Sequence, residues 1–302
     1  MKADESEYLE EVARKKSIAE NIEWLQKNLL PVKVIYTDID GTLVGPLGCF
    51  FRDANFEFTL RPARALLSAL SSNVDIMLVS GRHRSQLRET ARILGLRNYV
   101  AELGTEIIYD LGAEVLMNIG DFEVSEGSVY DAIISTGVVD FLLERYRGKL
   151  EMHTPWSEER DCTPLMRGYL DLKEATDALR DNGFAQFDIL DNGVLPGKRA
   201  ELNVPEVRAY HLVPKGVSKE QAVIKDQEHR NLKRQETVAV GDAEADLPFA
   251  SVVGAFFLVR NGLLNNPHLA RTVEETENVF VTEREMGLGW AQVVETLLAL
   301  RP

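Results

Sequence analysis

Val32-Lys33-Val34-Ile35-Tyr36-Thr37-Asp38-Ile39-Asp40-Gly41-Thr42 is the stretch that decides the fold. Its first half is short, apolar and β-branched, which reads as a strand. Polar residues follow at once. Two more runs behave alike: Val74 to Val79 leads into Ser80-Gly81-Arg82, and Thr237 to Val240 leads into Gly241-Asp242. Near-continuous apolar strands suit a parallel sheet covered on both faces. Helical patterns lie between them, at Arg61 to Leu70 and Arg84 to Leu94. The alternation implies a doubly wound, Rossmann-like α/β domain. In such open sheets the ligand crevice lies beyond the carboxyl ends of the strands. The polar clusters after these strands, distant in sequence, are therefore expected to converge on one site.

The middle of the chain has a different texture. Val115 to Ile119 reads as a strand, Val129 to Tyr146 as a helix, and Leu172 to Leu179 as a helix ended by Asp181-Asn182-Gly183. Phe184 to Leu190, Asp191-Asn192-Gly193 and Val194-Leu195 read as a hairpin, because Asn-Gly supplies the positive φ of a tight turn. Tyr210 to Val213 returns to an apolar strand. Residues 112–210 are thus expected to form an α+β insert between two halves of the main domain, 31–111 and 211–302. Residues 1–30 form an N-terminal extension. Within it Ile18, Ile22, Leu25 and Leu29 recur at helical spacing, after Tyr8, Leu9 and Val12, and Pro31 ends the segment. Such an amphipathic helix either docks on its own domain or makes a homodimer contact.

Bulk properties narrow the class. The 302 residues are 45% hydrophobic and 27% charged, which permits a sizeable core in one large or two ordinary domains. The net charge of −14 argues against a nucleic-acid backbone as partner, since that needs clustered Lys and Arg. No apolar run reaches the ~18 residues of a membrane helix, and Met1 to Glu7 is too acidic to begin a secretory signal. The cysteines, Cys49 and Cys162, form neither a zinc spacing nor a disulfide framework. A reducing cytoplasm is the simplest compartment.

The clusters carry a coherent chemistry. Asp38 and Asp40, two apart, lie on one side of an extended chain. Carboxylate and carbonyl oxygens suit magnesium. One carboxylate can attack phosphorus once a metal relieves the anionic repulsion, and the second can move a proton. Gly41 allows a tight turn, and its amide can approach a phosphate. Alone, the pentapeptide ending in Thr42 is equally a surface turn. Ser80 and Gly81 at a strand end can hold a phosphate oxygen, or Ser80 is only a helix cap. In Val217-Ser218-Lys219-Glu220-Gln221-Ala222, Ser218 looks like an N-cap with Gln221 at the capping-box position. Lys219 then sits in the first helical turn, opposing the macrodipole unless it holds an anion. Lys215 is a rival in the loop. Asp242 and Asp246, four apart after a strand, can complete a magnesium site or merely cap a helix. Together the groups form the inventory that phosphoryl transfer needs.

The order Asp-x-Asp-Gly-Thr, Ser-Gly-Arg, Ser-Lys and Gly-Asp-x-x-x-Asp resembles the haloacid dehalogenase (HAD) superfamily. The large insert between the second and third motifs resembles its type IIB branch, which includes Cof-type sugar phosphatases, sucrose-phosphate phosphatase and mannosyl-3-phosphoglycerate phosphatase. The likeness spans about residues 32–300, through the closing Gly287-Leu288-Gly289. It implies a HAD core with an α+β cap and a Mg2+ cofactor. It also implies a magnesium-dependent phosphomonoesterase acting on a small phosphorylated sugar or acid through an aspartyl-phosphate. By this resemblance Asp38 is the nucleophile and Asp40 the acid/base that also gives its carbonyl to the metal. By the same resemblance Ser80 and Lys219 hold the phosphoryl group, and Asp242 and Asp246 support magnesium; Gly41, Thr42 and Gly81 are further candidates for binding the phosphate. The branch also contains phosphomannomutase, a phosphotransferase alternative; a non-catalytic binding protein on the same scaffold has no use for Asp40.

The chain departs from the family where Glu-Asn-Gly is usual and Glu102-Leu103-Gly104 stands, where Glu220 replaces a Gly, and where Ala245 replaces an Asn. The insert offers Arg160 and Arg167, with Arg82 from the second motif, as cations for the substrate's polar tail; Lys198 and Arg199 are further basic residues there. His153 and Trp156 read as packing residues.

Overall fold

The computed structural model describes residues 3–158, 160–195 and 202–301. Twelve strands run through them: β1 Val34–Thr37, β2 Asp75–Val79, β3 Tyr99–Ala101, β4 Glu106–Tyr109, β5 Glu114–Met117, β6 Leu150–Met152, β7 Leu165–Gly168, β8 Phe187–Val194, β9 Arg208–Pro214, β10 Thr237–Gly241, β11 Ala255–Leu258 and β12 Val279–Val281. The chain divides into two compact units. The first comprises Met1–Ser80, Thr90–Tyr99 and Val223–Pro302; the second comprises Gly81–Glu89 and Val100–Ala222.

In the first unit the strands lie in the order β12-β11-β10-β1-β2, all parallel. Every residue of β1, β10, β11 and β12 is buried. That is why their sequences are continuously apolar rather than alternating. β1 is central, with Tyr36 opposite Ala239 of β10 on one side and Met77 of β2 on the other. The doubly wound α/β architecture expected from the three apolar runs is the one observed, together with a separate antiparallel sheet in the second unit.

The N-terminal extension is two helices, Ala3–Lys15 and Ile22–Asn28, rather than one. Between them the Lys16 carbonyl accepts from the Val281 amide, and Ser17 bridges to Val281, so the chain briefly extends the sheet beyond β12. Val12, Ile18 and Leu25 are buried within the same unit. Each contributes roughly 1.5–3 kcal/mol by leaving water. The indole N–H of Trp24 donates to Glu277 (3.0 Å), and its ring lies against Phe280. The extension is docked on its own unit.

In the second unit β4 and β5 pair antiparallel, and β6-β7-β9-β8 form a four-stranded antiparallel sheet. Helices Val129–Ser135, Val138–Arg145 and Leu172–Asp181 share its core through Ile133, Leu142, Leu179, Met166 and Tyr210. The single helix expected over 129–146 breaks at Thr136-Gly137, where Gly137 turns left-handed. The expected hairpin at Asp191-Asn192-Gly193 is absent. β8 runs straight through these residues, and the positive φ of Gly193 serves a bulge against β9. A bulge and a tight turn need the same glycine conformation, so the dipeptide alone does not distinguish them. Among the described residues no helix is long and apolar enough to cross a membrane.

Candidate active site

The centre is built by two adjacent strand ends. β1 and β10 run in register to Thr37 and Val240, and the Asp38 amide continues the ladder by donating to the Val240 carbonyl (3.0 Å). Asp38 therefore leaves the sheet beside Asp242. Oxygens of Asp38, Asp242 and Asp246 all lie within 4.8 Å of one another. Three carboxylates so close repel unless a cation sits among them, and their hard oxygen donors fit magnesium. Asp38 is 9% exposed, so little beyond its tip meets solvent.

After Asp38 the chain folds into a turn. The Ile39 carbonyl accepts from the amides of Thr42, Leu43 and Val44, and Asp40 is exposed. Gly41 is left-handed (φ +83°), and a Cβ there would stand 2.3 Å from Asp242 Oδ2. Thr42 is fully buried and its hydroxyl donates to Asp242 Oδ1 at 3.0 Å. That bond orients one carboxylate of the cluster. Asp246 is also buried, and its Oδ2 accepts from the amides of Asp242 and Ala243, both at 3.2 Å. It ties the turn after β10 together at the start of the 3-10 helix Glu244–Ser251. Gly41→Ala is expected to cost roughly 1–3 kcal/mol through the strained φ, and to weaken magnesium activation because Asp242 must move. Thermal melting and the magnesium dependence of activity check this; unaltered values for both would contradict it.

Sequence reasoning did not reach Asn261. It lies just past β11, buried, and its amide donates to the Gly41 carbonyl (2.8 Å) while its Oδ1 accepts from the Met286 amide (2.8 Å). It ties the turn at Gly41 to the start of the helix at Met286. The rule that flagged the other clusters, polar residues just beyond an apolar strand, also points here.

Ser80 directly follows β2, in the first unit, and is buried. The other expected residues belong to the second unit. Lys219 opens the helix Lys219–His229 and is 8% exposed; the Ser218 hydroxyl accepts from the Gln221 amide (3.3 Å), as the N-cap expectation requires. Arg160 is 6% exposed. Its Nη2 donates to the Gly81 carbonyl (2.8 Å) and its Nε approaches Glu102 Oε2 (3.3 Å). Arg167 pairs with Glu151 across β6 and β7 (2.5 Å). The Arg82 carbonyl accepts from the Glu102 amide (3.1 Å). His153 is buried, but Trp156, read as packing, is 56% exposed. Lys198 and Arg199 lie outside the described residues.

The surroundings of Glu102 are rich in charge. Burial, and then the neighbouring Glu102, push the Glu106 carboxyl up to about 7, against the pull of Arg84. Burial, then Arg160 and Lys219, hold the His211 imidazole well below its ordinary value, so it is neutral.

Residues 200–278 match the family model of haloacid dehalogenase-like hydrolases. No curated protein matches the chain in sequence. Among solved structures, a Thermoplasma acidophilum protein superposes with a TM-score of 0.62 at 16% identity, over 90% of this chain and 100% of its own. The sucrose-phosphatase of Synechocystis, in complex with sucrose and phosphate, gives 0.61 at 14% identity, over 89% and 98%. A phosphatase of this superfamily from Bacteroides thetaiotaomicron gives 0.58 at 15%, over 89% and 95%. At such identities the likeness is one of fold.

Proposed function

We propose that this chain, a member of the haloacid dehalogenase superfamily with the type IIB fold, is a magnesium-dependent phosphomonoesterase that hydrolyses a small phosphorylated sugar or acid. The observation that carries the reading is the meeting of Asp38, Asp242 and Asp246 at the ends of β1 and β10, with Asp40 two residues beyond the first. Magnesium held by these carboxylates and by the Asp40 carbonyl would neutralise the phosphoryl charge. The resemblance assigns Ser80 and Lys219 to the phosphoryl oxygens, and the amides of Gly41, Thr42 and Gly81 are further candidates for that role.

The chemistry then divides between two carboxylates. A carboxylate oxygen of Asp38 attacks phosphorus, and a new P–O bond forms as the ester P–O bond breaks. The departing alkoxide is a poor leaving group, so Asp40 supplies a proton as that bond fails. Asp40, now ionised, takes a proton from water, which attacks the phosphorus of the aspartyl-phosphate. The Asp38–phosphorus bond breaks, releasing inorganic phosphate and restoring both groups. The inserted residues 112–210 serve as the cap that selects the substrate, and the compartment is cytoplasmic.

A screen for phosphate release over aryl phosphates, sugar phosphates, phosphoglycolate and phosphoglycerate, with and without magnesium, tests the reading. Release that depends on magnesium is expected. No release from any of them would sink it, and conversion to isomeric phosphates without release would favour a phosphotransferase. Within the same assay, Asp40→Asn is expected to lower turnover of an alkyl phosphate by ~10²–10⁴-fold. The loss should shrink for an aryl phosphate, whose acidic leaving group needs less protonation. Equal losses for both esters, with formation of the aspartyl-phosphate rate-limiting, would remove the proton-donor role.

A further inference from the structure

The turn Glu102-Leu103-Gly104 is left-handed at three consecutive residues, with φ of +48°, +57° and +105°. Two of these are not glycine, a conformation that costs of order 1–2 kcal/mol per residue and persists only where the surroundings enforce it. What the turn touches gives the reason. The Glu102 amide donates to the carbonyl of Arg82 (3.1 Å), in the segment that directly follows Ser80. Two residues on, Gly104 lies so close to the Ser218 carbonyl that a Cβ would come within 2.2 Å of it. Only glycine permits that approach. One short turn therefore abuts both the segment after Ser80 and the residue before Lys219.

The Glu102 side chain completes the clamp. It is fully buried, and both oxygens are occupied. Oε1 accepts from the Asp161 amide (3.2 Å); Oε2 accepts from the Thr163 amide and hydroxyl, both at 2.7 Å. Arg160 Nε also approaches Oε2 (3.3 Å), while its Nη2 reaches the Gly81 carbonyl (2.8 Å). Because the Thr163 hydroxyl donates to Glu102, it accepts from the Nδ1–H of the neutral His211 (2.9 Å). A buried carboxylate met by four donors from residues 160–163, one of them a guanidinium, is rigid as well as charge-compensated.

We propose that Glu102 and Arg160 are positioning residues that hold the Gly81-Arg82 and Ser218-Lys219 segments in the geometry that binds the phosphoryl group. Neither touches the substrate. Arg160, which the sequence offered as a cation for the substrate's tail, has its guanidinium committed to Glu102 and the Gly81 carbonyl instead. The Glu-Leu-Gly departure from the family's Glu-Asn-Gly leaves the carboxylate and the glycine on which this clamp depends. The proposal rests on the phosphatase reading above, because that reading makes these segments the phosphoryl cradle.

The test is calorimetric titration of inorganic phosphate into the full chain with magnesium present, beside a separate titration of magnesium alone. Arg160→Met keeps the length and apolar stem but removes both donors. The dissociation constant for phosphate is expected to rise about tenfold or more in this variant, the effect of one lost charge-assisted bond. The constant for magnesium should stay within twofold of wild type, since Asp38, Asp242 and Asp246 are untouched. A general loss of structure would lower the number of binding sites and leave the affinity of the folded remainder unchanged. If Arg160→Met does not fold because Glu102 is left unpaired, the double variant Glu102→Gln with Arg160→Met removes both charges of the pair and is measured in its place, with the same shift expected. Phosphate affinity within twofold of wild type in whichever variant folds would overturn the proposal. Wild-type protein that binds no phosphate at all would overturn the phosphatase reading, and the proposal with it.

Discussion

Asp38→Asn is expected to abolish turnover, by on the order of 10⁴–10⁶-fold, and to leave the fold intact. Replacing a nucleophile removes the only route through a covalent intermediate, and losses of that size accompany such replacements. The Asp38 backbone, not its side chain, makes the bond to the Val240 carbonyl that continues the β1–β10 ladder. An amide of nearly the same size fits the same place, so the sheet keeps its register. It also removes one negative charge from a cluster of three, which eases their mutual repulsion. The variant should thus melt no lower than wild type in the absence of magnesium while releasing no phosphate. Turnover within tenfold of wild type would show that Asp38 is not the attacking group.

Removal of magnesium is expected to silence the enzyme completely and reversibly. Chelation removes the divalent charge from a cluster in which oxygens of Asp38, Asp242 and Asp246 lie within 4.8 Å of one another, just where a phosphoryl dianion must arrive. At separations near 4 Å each unit-charge pair is worth about 4 kcal/mol at an effective dielectric constant of 20. An added dianion therefore faces a barrier that the side chains alone cannot lower. Restoring magnesium should restore activity in full. Calcium should inhibit, since it prefers more ligands and looser geometry than a tight carboxylate cluster gives. Undiminished activity in metal-stripped protein would contradict the assignment.

The legible parts of this molecule are those whose signal is local. β1, β2 and β10 announce themselves as short apolar β-branched runs because they are buried on both faces. Asp38 and Asp242 directly follow strand ends, with Asp40 and Asp246 a few residues beyond, so recognising the strands led at once to the candidate cluster. The hidden parts depend on contacts between distant segments. Asn261 acts on Gly41 from 220 positions away. Its own sequence, Arg260-Asn261-Gly262 after an apolar run, has the strand-end position of the other clusters, but nothing in it reveals Gly41 as the partner. Arg160 is offered by the sequence as a cation for the substrate's tail, because nothing in residues 160–167 reveals that Glu102, 58 positions earlier, receives it. Asn192-Gly193 carried the right backbone preference, but its use in a bulge is decided by the partner strand β9. The N-terminal extension broke at Lys16–Ser17 because the edge of β12 offered backbone partners that helix periodicity cannot foresee.

Acid quenching of the protein during turnover of an aryl phosphate, followed by peptide mapping by mass spectrometry, tests the central claim most directly. The account predicts one phosphoryl group on the peptide that contains Asp38, absent when Asp38 is replaced by Asn, together with retention of configuration at phosphorus over the whole reaction. Phosphate release with no adduct on that peptide and with inversion at phosphorus would mean that water attacks the ester directly, and would contradict it.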